Sequence, residues 1–192
     1  SELLMSVCAD LDFVRGDPFA GDVDEAVALE SCLQLRAIGG RERKVMLWPN
    51  RNAFFYVLDR LTGEFLLAKP FAKQNWAKGI DARGRPILNP DVTVDTIGRL
   101  TYPGPVGAMN WQSPSYSPRT GLLYVPALES GHIIYRDAEP VRYSRGKDFR
   151  GGGHQPLPGS ESHYFSVRAI EPASGNIVWS YDNPRRLDWL RT

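Results

Sequence analysis

The chain has 192 residues and a near-balanced charge, with 23 Lys and Arg against 22 Asp and Glu and a net charge of +1. That balance argues against a dedicated nucleic-acid or anionic-membrane protein, which would carry a basic face or run. No stretch reaches the ~18 apolar residues of a membrane span, and two Cys with three scattered His give no zinc signature.

The first forty residues have their own texture. Asp10, Asp12, Asp17, Asp22, Asp24, Glu25 and Glu30 make them acidic, and aromatic residues are few. The run from Ser1 to Cys8 lacks a basic segment ahead of an apolar core, so it does not read as a signal peptide. Apolar residues at helical spacing predict a short helix over Glu25–Leu35. Cys8 and Cys32 are read as two buried thiols rather than a disulfide.

From Lys44 the chain changes to short aromatic runs broken by Gly and Pro. We therefore divide it into a divergent segment, 1–43, and a β-rich part, 44–192. Lys44–Trp48 and Ala53–Leu58 have the length and composition of strands. Turns of one type follow, at Asp59–Gly63, Ser117–Gly121 and Glu171–Gly175, each between apolar runs. A polar first residue can accept backbone hydrogen bonds and the fifth, Gly, supplies positive φ, so each is expected to close a hairpin. The spacing of the turns is near one propeller blade of four strands. Between them run loops at 75–90, 102–118 and 137–162; the last contains Gly151-Gly-Gly153, read as a flexible surface loop because the Lys-Ser/Thr of a phosphate cradle is absent.

Longer motifs carry a resemblance. Trp48-Pro-Asn-Arg-Asn-Ala-Phe-Phe-Tyr-Val-Leu-Asp-Arg-Leu-Thr-Gly63 resembles the signature of the pyrroloquinoline quinone (PQQ)-dependent alcohol dehydrogenases. Gly107-Ala-Met-Asn-Trp-Gln-Ser-Pro-Ser-Tyr-Ser-Pro118 continues it. Ala169-Ile-Glu-Pro-Ala-Ser-Gly-Asn-Ile-Val-Trp179 is similar to the family's tryptophan-docking repeat, in which a Trp stacks on the next blade's peptide. The resemblance covers about Lys44–Tyr181. It implies an all-β fold: over 44–192 a partial β-propeller of about three stacked antiparallel four-stranded blades, with any helix near the N-terminus or in the loops.

The resemblance also implies a site. Arg51 stands at the basic residue that faces the quinone oxygens, where a permanent guanidinium can stabilise developing charge. Asn110 stands where an amide hydrogen-bonds a quinone carbonyl, and Trp111 beside it walls the pocket. Ala53 replaces the family's usual Gly after Asn52. The family's proton-accepting Asp falls, by spacing, between Asp22 and Asp24, and Asp24 is the candidate catalytic base. Ligands for the family's calcium or lanthanide ion are not found in this chain. The resemblance implies PQQ as cofactor, an alcohol as substrate, a cytochrome c as electron acceptor and a periplasmic location; without a signal peptide, a cytoplasmic one stays open. Open strand edges in a partial ring imply a homo-oligomer or a partner chain. Two other readings stay open: a non-catalytic propeller remnant that binds a protein partner, and a metal-dependent hydrolase using the acidic N-terminal residues.

Overall fold

The computed structural model describes residues 32–38, 40–139, 142–146, 150–157 and 163–183. Asp24, Cys8 and most of the helix expected over Glu25–Leu35 lie outside the described residues. The last part of that expected helix is a strand instead, β1 (Cys32–Ile38), because it pairs antiparallel with β2 (Arg41–Pro49), from Cys32 opposite Met46 to Ile38 opposite Arg41. Tertiary pairing here overrides a helical spacing that is only eleven residues long. The change of texture at Lys44 falls inside β2 and does not interrupt the sheet.

β3 (Phe54–Asp59) and β4 (Phe65–Pro70) complete a sheet of order β1-β2-β3-β4. In β3, Phe54, Phe55, Val57 and Leu58 are all buried. An unbroken apolar run, rather than an alternating one, is what a strand covered on both faces requires. The Asp59 turn joins β3 to β4. Gly63 N donates to Asp59 O at 2.8 Å with Gly63 at φ 73°, while Asp59 Oδ1 accepts from Leu61 N and Thr62 N.

The other two turns repeat that backbone. Gly121 N donates to Ser117 O and Gly175 N to Glu171 O, each at 2.8 Å, with φ of 69° and 70°. They close β8 (Ser115–Ser117) onto β9 (Leu122–Glu129), and β12 (Tyr164–Glu171) onto β13 (Asn176–Asp182). All four strands belong to one sheet of order β13-β12-β9-β8. The second and third turns therefore share a blade, and their spacing is not a blade repeat. The residues between β9 and β12 leave the sheet and return. On that excursion β10 (His132–Arg136) and β11 (Gly152–Pro156) join β7 (Arg99–Thr101) in a three-stranded sheet, β11-β10-β7. A small hairpin, β5 (Ala77–Ile80) with β6 (Pro86–Leu88), follows the first sheet. Gly151–Gly153, expected to be a flexible loop, instead runs into β11: Gly152 and Gly153 pair with Arg136 and Tyr135.

The two four-stranded sheets pack against each other. Val45, Leu47, Phe55 and Val57 of the first share one core with Leu123, Val125, Ala127 and Ile170 of the second, and Phe71, Ala108 and Met109 complete it. Each Val, Leu, Ile, Phe or Met side chain among them contributes about 1.5–3 kcal/mol on burial. The described residues contain no α-helix and one 3-10 turn, Pro90–Val92. The fold is all-β, a partial propeller of antiparallel blades.

Candidate functional site

Arg51 sits in the tight turn between β2 and β3. Asn50 N donates to Phe54 O and Ala53 N to Asn50 O, closing the turn, and Ala53 takes φ 75°, a left-handed conformation that favours glycine. Asn52 is consumed in holding this shape. Its Oδ1 accepts from Phe54 N at 3.0 Å, its Nδ2 donates to Tyr56 OH at 2.9 Å, and its carbonyl accepts from Trp76 Nε1 at 2.9 Å. Burial pushes the Tyr56 phenol up, with the Asn52 hydrogen bond opposing. Trp76 meets Phe54 edge to face. The turn is thus fixed from both sides, and Arg51 is left as its exposed residue.

A second segment grips Arg51. Arg51 Nη2 donates to Pro105 O at 2.7 Å, and Ala108 N donates to Arg51 O at 2.9 Å. Gly107, at φ 87°, lies so close that a Cβ there would stand 2.9 Å from Arg51 Cβ and from Arg51 O. Beyond this clamp the segment splits by burial. Ala108 and Met109 enter the core, whereas Asn110 and Trp111 face out, Trp111 with 74% of its surface exposed. Ala108 O accepts from Leu128 N, which fixes the segment to β9. Arg51 and Asn110 are 59 positions apart in sequence, yet Arg51 bonds to residues 105 and 108 of the segment that carries Asn110.

The chemistry at this end is donor-rich: a guanidinium, an outward amide and an exposed indole. That set suits the carboxylate and carbonyl oxygens of a quinone such as PQQ. Among the described residues no group of three His, Cys, Asp or Glu is placed to hold a metal ion.

Sequence reasoning missed a cluster behind this loop. His132, His154 and His163, scattered in the chain, converge. The His132 ring lies 5.3 Å from that of His154 and 5.6 Å from that of His163. Ser130 Oγ is 2.8 Å from His163 Nδ1. Burial, then the neighbouring His154 and His163, lowers the His132 pKa below its ordinary value; burial likewise lowers that of His163, with the Leu157 backbone opposing. Their sequence signal was only Ser130-Gly-His132 at the end of an apolar run.

No family model matches the chain. Curated relatives do. It is 39% identical to the quinoprotein alcohol dehydrogenase PedH of Pseudomonas putida over 153 residues, 76% of this chain and 25% of that protein. It is 47% identical to the dehydrogenase subunit of an alcohol dehydrogenase (quinone) from Acetobacter aceti, over 76% of this chain and 21% of that protein. Its sequence belongs with the quinoprotein alcohol dehydrogenases. A third relative in this family, a 1-butanol dehydrogenase (cytochrome c) of Thauera butanivorans, is 36% identical over 74% of the chain and 22% of its own length. The chain therefore spans no more than about a quarter of these relatives. Among solved structures it is similar to a europium-containing methanol dehydrogenase, with TM-score 0.71 and 26% identity over 79% of this chain and 27% of that one. The quinohemoprotein alcohol dehydrogenase of Comamonas testosteroni gives TM-score 0.70 and 29% identity over 81% and 24%.

Proposed function

We propose that this chain supplies one side of the cofactor site of a PQQ-dependent alcohol dehydrogenase. The observation that supports it best is the clamp of residues 105–108 on Arg51, which ties the guanidinium to the segment that carries Asn110. Bound there, PQQ would accept hydride from an alcohol. Arg51 would hold a quinone oxygen or carboxylate by charge-assisted hydrogen bonds. The Asn110 amide would donate to a carbonyl, and the Trp111 indole would cover apolar surface of the ring. Asp24 is proposed as the base that takes the alcohol proton. A cytochrome c is the proposed electron acceptor, the periplasm the proposed location, and a second copy or a partner chain the proposed cover for the open sheet edges.

The test is titration of the chain with PQQ in the presence of Ca²⁺, followed by quenching of tryptophan fluorescence. Saturable quenching is expected. Arg51→Ala should weaken binding about 10-fold or more, the loss of one or two charge-assisted hydrogen bonds, and Arg51→Lys should retain most of it. Quenching that is absent, or unchanged in Arg51→Ala, would remove Arg51 from the site.

A further inference from the structure

The histidine cluster lies directly behind the loop that grips Arg51. Gly104 N donates to Ser130 O at 2.7 Å, and Thr101 pairs with His132 across β7 and β10. Gly104 lies flush on the His132 imidazole and Gly131 flush on the Tyr102 ring, with no room for a Cβ at either position. On the β10 side, residues 101–104 are seated largely through His132 and Gly131; on the other side Asn75 holds Tyr102, its N–H donating to Tyr102 O at 3.2 Å and its Oδ1 accepting from Tyr102 N at 2.8 Å. The next residues, 105–108, are the clamp on Arg51.

The surroundings of this cluster favour neutral imidazoles. His132 and His163 are 7% and 5% exposed, and His163 Nε2 makes no hydrogen bond of normal geometry among the described residues. The titratable and charged groups facing the junction come from four elements. β11 contributes His154, and the residue before β12 contributes His163. The 102–104 segment contributes Tyr102, with Lys73 Nζ 4.1 Å over its ring. The end of β9 contributes Glu129, whose carboxylate is already taken by Arg168 and by the Lys73 N–H. An imidazolium formed here would meet other imidazoles and a cation, and Glu129 is already paired.

We propose that Ser130, His132 and His163, with His154 at their exposed edge, form a proton-operated latch: neutral, they seat residues 101–104 on β10, and protonation releases that segment and loosens the clamp on Arg51. The sign follows from the buried positions. Both groups bind protons more readily when the latch is open, where the ordinary value of 6.5 applies. The latch is intact above that value and weakens as pH falls below it. The device needs no bound cofactor and stands whether or not Arg51 faces a quinone.

Hydrogen exchange followed by mass spectrometry on the whole chain tests this, at about pH 7.5 and about pH 5.5 after correction for intrinsic rates. Peptides covering 101–109 should lose protection at least about tenfold at the lower pH, relative to β3. The double variant His132→Asn/His163→Asn, which keeps an amide near each Nδ1 position but cannot titrate, should show no such loss. Equal protection at both pH values, or the same loss in the double variant, overturns the latch. Should the double variant not fold, imidazole NMR of the unaltered chain decides between the two. Two of the three histidines titrating below 6.5, in step with loss of the Gly104 amide signal, support the latch. Fewer than two titrating below 6.5, or titration with the Gly104 signal unchanged, overturns it.

Discussion

Leu67 Cδ1 lies 3.0 Å from the point a Cβ on Gly175 would occupy, so β4 of the first sheet docks on the last turn of the second. Leu67 follows Gly63 by four residues, just as Trp179 follows Gly175. The first sheet thus carries a leucine where the docking repeat carries a tryptophan. Trp179 itself is 44% exposed and rests near Tyr124 of its own sheet, with ring centroids 5.8 Å apart.

Gly175 and Gly121 separate backbone strain from packing. Both sit at positive φ, 70° and 69°, but a Cβ at Gly121 meets nothing within 4 Å, whereas one at Gly175 meets Leu67 and Lys69. Gly121→Ala should cost about 1 kcal/mol from the backbone alone. Gly175→Ala should cost about 1–2 kcal/mol more, as Leu67 is displaced from its seat. Urea unfolding of the two variants measures the difference, and equal losses would mean that the docking contact carries no energy.

At Ala53 two terms oppose. Its left-handed backbone costs about 1–2 kcal/mol relative to glycine, while its fully buried methyl contributes roughly 0.8 kcal/mol plus whatever cavity its removal leaves. Ala53→Gly should therefore lie within about 1 kcal/mol of the unaltered chain in thermal unfolding. Ala53→Val, a β-branched residue in a left-handed position inside the core, should be strongly destabilised.

Glu129 and Arg168 form a largely buried ion pair that also engages Phe71 O and Lys73 N, joining β9 and β12 to the strand exit of the first sheet. Glu129→Leu strands a guanidinium and should cost about 3–5 kcal/mol. Replacing both, as Glu129→Leu with Arg168→Met, should cost less than the single change. A double-mutant cycle in denaturant checks this.

Asp59 gives an acid limb. Burial alone would raise its pKa, but the Leu61 and Thr62 N–H groups and Arg43 outweigh that, and the net direction is below the ordinary 3.8. A carboxylate depressed in the fold contributes stability that is present above pH 3.8 and is lost as pH falls through its folded value. Asp59→Asn keeps the turn acceptor and should flatten the pH dependence of stability below about pH 4; an unchanged acid limb would assign it to other carboxylates.

The turns and the Arg51 loop were legible because each is set by neighbours in the chain: Asp59 caps its own turn and Gly63 supplies the positive φ. The same holds for the strand Phe54–Asp59, whose apolar run permits little else. What could not be read was the pairing of distant segments. The Ser117 and Glu171 turns look like successive repeats, and only the meeting of β9 with β12 puts them in one sheet. Cys32–Ile38 has apolar residues at helical spacing and becomes a strand because β2 offers it a partner. The histidines carry no spacing that brings them together; the excursion between β9 and β12 does so.

That excursion also has a kinetic side. β2 and β3 are joined across 4 residues, but β9 and β12 across 34, from Ser130 to His163. The entropy of closing the longer connection is greater by about 2 kcal/mol, and it must be met before the strand pair returns anything. The first sheet can therefore assemble from local contacts while the second waits on a long-range encounter. Amides of β3 should be protected early in pulse-labelled refolding, and those of β12 should follow.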